Sequence, residues 1–182
     1  MLRVASKPPC VCSPDDVAAL KALVLEGGEV DPNGLRRRIA RAERLAFAFF
    51  DHNLAGVGAL KHPNTAYRAS VFAKSNSSRA PSAFPLELGW VCVKSEYRGR
   101  GISGLLLQEL MATVRDRNVF ATSRTDNTVM HRSLNHSGFL REGTAYASGV
   151  RACKLQLFVR VAAPNKALRG ARRERHTPEL CR

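Results

Sequence analysis

The sequence predicts an α/β fold, a single domain whose mixed, mostly antiparallel central sheet is flanked by helices. Three observations predict it. At 182 residues the chain is long enough for one full core and short for two. Its apolar residues switch between the helical period and short runs of strand length. The resulting order is two helices, a hairpin, strand, helix, strand, helix and two closing strands, so helices alternate with strands around a hairpin.

Taken in order, residues 1–12 carry no sustained period and are expected to form a flexible N-terminus. Ser13-Pro14-Asp15-Asp16 opens the first helix: Ser13 suits the cap, Pro14 the first turn, and the acids the positive end of the dipole. Val17, Leu20, Leu23 and Val24 continue it, and Gly27-Gly28 ends it. A second, basic helix is expected from Asp31-Pro32, with Leu35, Ile39 and Ala42 on one face and Arg36, Arg37, Arg38 and Arg41 elsewhere. Residues 45–50 and 54–60 flank Asp51-His52-Asn53 as a hairpin. The stretch 61–85 reads as a long loop with a short helix around 67–74; long loops in compact domains are often functional. Residues 85–93 read as a strand and 102–117 as a helix. Residues 118–125 form a further strand, 127–137 a helix, and 139–146 with 152–161 a closing pair. Alternation on the strand at 86–93 puts Trp90 on the face of Leu86 and Leu88, a packing position. The domain thus spans 13–162, and 163–182 is expected to be a basic, disordered tail.

Composition narrows the function classes. No stretch approaches the roughly 20 apolar residues of a membrane span. The N-terminus lacks the apolar core of a signal peptide, which leads us to expect a cytoplasmic protein. The five cysteines and five histidines show no ligand spacing, so neither a metal nor a disulfide framework is expected. The net charge of +14 is the strongest compositional feature; six basic and two acidic residues in 165–182 supply four of those charges. Such a field attracts polyanions, nucleic acid included, but a solvated basic surface accounts for it as well. The sequence leaves the oligomeric state, a homodimer included, open.

The chemical signal lies in Tyr97-Arg98-Gly99-Arg100-Gly101-Ile102-Ser103-Gly104. A strand delivers the chain to a glycine-rich turn that opens directly into a helix. Unpaired backbone N–H groups there face outward, the dipole favours negative charge, and the glycines let the backbone approach an anion. Arg98 and Arg100 add charge. Gly99-x-Gly101-x-x-Gly104 also satisfies the dinucleotide fingerprint, and Asp126 follows at a suitable distance. Three features oppose that rival. Lys94–Arg98 separate strand from glycine, one strand-helix-strand unit is present rather than two halves, and a hairpin precedes it.

The segment ELGWVCVKSEYRGRGISGLLLQEL resembles the central motif of the GNAT superfamily of N-acetyltransferases, whose loop reads Gln/Arg-x-x-Gly-x-Gly/Ala; here Ser103 stands at the last position. DNTVMHRSLNHSGF resembles the second signature, an Asn-initiated helix ending in Gly-Phe, from Asn127 to Gly138-Phe139. The resemblance covers roughly 44–161. It implies a GNAT-like sheet and an acyl-CoA co-substrate, expected to be acetyl-CoA. Its pyrophosphate would lie on Arg98, Gly99, Arg100, Gly101, Ile102, Ser103 and Gly104, and its pantetheine arm along Val91, Cys92 and Val93. Asn127 would be a contact or a helix cap.

The resemblance further implies direct transfer of the acyl group to a primary amine, with no covalent enzyme intermediate. The acceptor is expected to be a small molecule or peptide. An RNA-linked amine such as aminoacyl-tRNA, or a domain that binds CoA or nucleic acid without chemistry, are the alternatives. Glu87 is the expected base, because some members place a glutamate early on this strand. Many relatives carry a tyrosine acid four residues before the glycine of Gly-Phe, and here Leu134 occupies that position. His131, Ser133, Asn135, Tyr146 or water remain as proton donors, His131 being the one on the same helix.

Overall fold

The computed structural model describes residues 1–149 and 151–162. Strands β1 (Leu2–Lys7), β2 (Arg44–Phe50), β3 (Asn53–Lys61), β4 (Leu86–Val93), β5 (Val119–Arg124), β6 (Leu140–Ala147) and β7 (Lys154–Arg160) form one sheet. Its order is β1-β2-β3-β4-β5-β7-β6. Only β4 and β5 pair in parallel; the other neighbours are antiparallel. Helices α1 (Pro14–Glu26), α2 (Leu35–Ala40) and α3 (Thr65–Lys74) pack on one face, and α4 (Ile102–Ala112) and α5 (Thr128–His136) on the other. The mixed α/β sheet expected from the sequence is present.

Capping chemistry starts α1 where the sequence places it. Ser13 Oγ accepts from Asp16 N at 3.1 Å, and Asp16 Oδ2 accepts from Ser13 N at 2.9 Å, a reciprocal box that satisfies two orphan donors. The second helix is shorter than expected. It begins at Leu35 behind Gly34, which takes a left-handed φ of 67°, and not at Asp31-Pro32. The hairpin and the short helix at 65–74 stand where expected.

The N-terminus departs from expectation. Residues 2–7 are not flexible but form an edge strand in register with 45–50. Leu2 and Val4 pack against the α4-side core, and Ser6 donates through N and Oγ to Glu109 Oε1 of α4 at 3.1 and 2.8 Å. Two alternating apolar residues before a Pro-Pro step are too short a signal to read as a strand in isolation. The expected disordered tail at 163–182 lies outside the described residues.

Two glycines let α4 approach the sheet. A Cβ on Gly56 would lie 3.2 Å from Ile102 Cγ2 and 3.3 Å from Leu106 Cδ1, and one on Gly58 3.4 Å from Leu110 Cδ1. Ile102, Leu106, Leu107 and Leu110 are at most 1% exposed as a result. That packing fixes the start of α4 against β3, and with it the glycine loop that precedes the helix.

Candidate active site

The loop between β4 and α4 has the geometry of an anion cradle. Gly99 and Gly101 take φ of 78° and 73°, where a side chain is strained. A Cβ on Gly99, Gly101 or Gly104 would meet nothing within 4 Å, so the backbone faces open space. The first backbone bond at the start of α4 runs from Leu105 N to Gly101 O. Among the described residues the N–H groups from Gly99 to Gly104 make no hydrogen bond, which leaves six donors in one bend at the positive end of a helix. Arg98 Nε donates to Val93 O at 3.2 Å, and the Arg100 guanidinium lies 4.9 Å from the Phe50 ring centroid. Both cations thus border the bend. These residues fit a pyrophosphate.

Beside the cradle the sheet splits. β4 pairs β5 only over Leu86, Glu87 and Leu88, opposite Val119, Phe120 and Ala121. From Gly89 onward the β5 side of β4 has no partner strand, and Val91, Cys92 and Val93 lie on this free edge. On its other side β4 carries a bulge: Ala59 pairs Gly89 while Val57 pairs Cys92, so Gly58 faces both Trp90 and Val91. Trp90 absorbs the extra residue with a left-handed φ of 53°. The bulge reverses the alternation, which corrects the expected placing of Trp90. Its ring leaves the face of Leu86 and Leu88 and packs with α1, α2, Phe47 and Ala59.

The same face holds a buried polar cluster. Glu87 is 4% exposed, and its Oε1 accepts from Lys61 Nζ at 2.9 Å and from Tyr67 Oη at 3.1 Å. Lys61 and Glu87 are direct cross-strand partners. The Lys61 ammonium also stands 5.2 Å from the Trp90 ring centroid. Burial first, and then Glu87, push the Tyr67 hydroxyl well above its ordinary pKa, so it remains a donor near neutral pH. The Tyr146 hydroxyl is raised by the same two causes, and it is buried with no hydrogen-bond partner among the described residues. Burial pushes the Cys92 thiol up to about 11. It stays protonated, hence a poor nucleophile.

A free strand edge and a glycine cradle at a helix start thus lie at the β4–β5 split, with a buried carboxylate on the far face. Residues 21–139, well over half of the chain, match the Acetyltransferase (GNAT) family. The chain belongs to the GNAT acetyltransferase family. Solved structures share the fold at low identity. A GNAT acetyltransferase from Streptococcus agalactiae aligns with TM-score 0.65 and 14% identity over 90% of this chain and 96% of that one. The ribosomal-protein-S18-alanine N-acetyltransferase of Escherichia coli gives 0.61 and 11%, over 91% and 97%. An acyl-CoA N-acyltransferase from Pseudomonas aeruginosa gives 0.58 and 16%, over 88% and 100%. No curated protein matches the chain by sequence.

In this GNAT chain the second signature is occupied by packing. Leu134 is 1% exposed in the core against α4. His131 is 5% exposed and spent: Arg141 can only donate, so His131 Nδ1 accepts from Arg141 Nη2 at 3.1 Å. Its proton therefore sits on Nε2 and is donated to Arg124 O at 2.8 Å, while the ring packs on Phe158 at 4.9 Å. His131 lies on the α5 side of the sheet and is not brought together with Glu87. Asn127 caps α5 by accepting from Met130 N at 3.1 Å. Ser103 Oγ lies 3.2 Å from Ser133 Oγ, linking the loop to α5. Sequence reading missed Lys61 and Tyr67. The sequence reading put Lys61 in the loop 61–85, but it ends β3, and its partner on β4 depends on the register across the bulge.

Proposed function

We propose that this protein is an acyl-CoA-dependent N-acyltransferase, with acetyl-CoA as donor and a primary amine of a small molecule or peptide as acceptor. The observation that carries the reading is the run of six unpartnered N–H groups in an open glycine bend beside a free strand edge. On this reading the bend holds the pyrophosphate, and a backbone N–H of the β4 edge polarises the thioester carbonyl. Glu87, at the floor of the opposite face, takes the proton of the acceptor amine. The amine nitrogen bonds the acyl carbon, the C–S bond breaks, and the thiolate receives a proton. The protonated thiol of Cys92 favours this direct attack over an acyl-enzyme.

For the last proton, Tyr146 is the donor we favour. His131 is spent, Ser133 is bonded to Ser103, and Asn135 is exposed. The Tyr146 hydroxyl is protonated, buried, unpartnered and within the electrostatic reach of Glu87. An RNA-linked amine is the second reading for the acceptor, favoured by the exposed Arg36, Arg37 and Arg41 around α2. Steeply salt-dependent binding that persists at moderate salt would support it.

Thermal unfolding with acetyl-CoA or NADH, in the wild type and in Gly101→Trp, tests the donor. A ligand at about 100 times its Kd stabilises by roughly 2.7 kcal/mol, or roughly 5–10 °C here. A rise with acetyl-CoA alone, absent in the variant, supports the reading. A rise with NADH alone would hand the loop to the dinucleotide alternative.

A further inference from the structure

The buried cluster on the acceptor face contains an amine of the protein's own. Lys61 ends β3, directly across from Glu87, and its Nζ is 2.9 Å from Glu87 Oε1. Its side chain does not point to solvent but is 17% exposed and lies across the β4 bulge. A Cβ on Gly89 would be 2.8 Å from both Lys61 Cε and Lys61 Nζ, so the glycine leaves the space that the lysine fills. The Trp90 ring, turned to this face by its left-handed backbone, flanks the ammonium at 5.2 Å. Carboxylate, aromatic face and bulged backbone are the surroundings an acceptor ammonium requires, and here they hold Lys61.

We propose that Lys61 is an acylation site of the protein itself, modified by its own active site. The proposal rests on the function given above. The Lys61 ammonium passes a proton to Glu87 along their existing hydrogen bond. The freed Nζ lone pair attacks the thioester carbonyl at the free β4 edge; an N–C amide bond forms, the C–S bond breaks, the thiolate leaves as CoA with the second Nζ proton, and Glu87 gives the first to solvent. No oxidant or further reactant is needed. The product is a neutral amide, so the ion pair to Glu87 is lost and the carboxylate is left to Tyr67 and to an incoming amine.

The test is the full chain incubated with acetyl-CoA, followed by intact-mass measurement and peptide mapping, beside Gly101→Trp, Lys61→Arg and Glu87→Gln. Acetyl-CoA binding is read in parallel from thermal unfolding. The expected result is one added acetyl group on Lys61, ahead of the exposed lysines. It should be absent in Gly101→Trp, absent in Lys61→Arg, which keeps the charge but not the nucleophile, and slowed roughly a hundredfold in Glu87→Gln. Equal acetylation of Lys61 in wild type and Gly101→Trp would reduce it to uncatalysed chemistry and overturn the proposal. A protein that is stabilised by acetyl-CoA yet leaves Lys61 unmodified overturns the proposal alone. A protein that is neither stabilised nor modified overturns the donor assignment beneath it.

Discussion

The two faces of the split between β4 and β5 are built in opposite ways. On the cradle side the chemistry is local: Arg98 to Gly104 are contiguous, and the donors belong to the backbone. On the proposed acceptor side it is assembled: Lys61, Tyr67, Glu87, Trp90 and Tyr146 come from β3, α3, β4 and β6. They meet only through strand register, a bulge and a helix inserted between β3 and β4. A local site tolerates change in the rest of the fold, which suits the proposed role of holding the part of the substrate that never varies. An assembled site can be retuned by any of its elements, which suits the proposed half of the reaction in which acceptors would differ.

The sharpest way to break this comparison is Glu87→Gln. Transfer to an external amine should fall about a hundredfold, while stabilisation by acetyl-CoA stays near the wild-type value. If both fall together, the two faces are not separate functions and Glu87 supports the cradle. Tyr146→Phe should come next, with a loss of roughly tenfold or more in kcat and little change in KM for the amine. Unchanged kcat would return the leaving thiolate to water.

The same contrast explains what was legible in the sequence. The cradle was legible because glycines and arginines at fixed spacing act through their own backbone. The sheet was legible through its hairpin, its strand-helix alternation and the Ser13 cap. Glu87 was visible by position on β4, but its partners were not, since the pairing of Lys61 with Glu87 requires the register beyond Gly58. Trp90 was misplaced for the same reason: simple alternation fails wherever an extra residue enters a strand. For His131 the sequence could not show that Arg141 and the Arg124 carbonyl hold both ring nitrogens.

Two core variants sharpen the boundary between packing and chemistry on the α5 side. His131→Ala removes a buried ring and strands its partners, which should cost about 1–3 kcal/mol and lower Tm by several degrees. The pH profile of transfer, measured where the variant is folded, should keep its shape; a lost limb would restore His131 as a proton carrier. Leu134→Tyr puts the family's tyrosine back into a position that here is filled by core. Overpacking should cost about 1–3 kcal/mol, with no gain in turnover. Faster turnover would mean that the absence of a tyrosine at position 134, and not Tyr146, sets the rate.

The smallest effect expected lies at the rim of the proposed acceptor face, where the segment after α3 is tied to β6. Arg79 Nε donates to Glu142 Oε2 at 2.9 Å, and Ser77 Oγ donates to Oε1 at 2.8 Å. The hydrogen bond from Arg79 holds the Glu142 carboxyl below the ordinary carboxylate range, with Ser77 adding to it and burial opposing. A carboxyl whose pKa is depressed by folding contributes stability that is present above its unfolded value, about 4.3, and lost as pH falls through the folded one. Arg79 is 42% exposed, so solvent screening limits the pair to about 1 kcal/mol at most. Glu142→Gln should therefore lower Tm by no more than a few degrees at neutral pH, and the gap to the wild type should close as pH drops below about 4. Because every other carboxylate titrates in both proteins, the difference between their Tm curves isolates this one. A gap that stays constant into acid would show that Glu142 holds the rim by shape and not by charge.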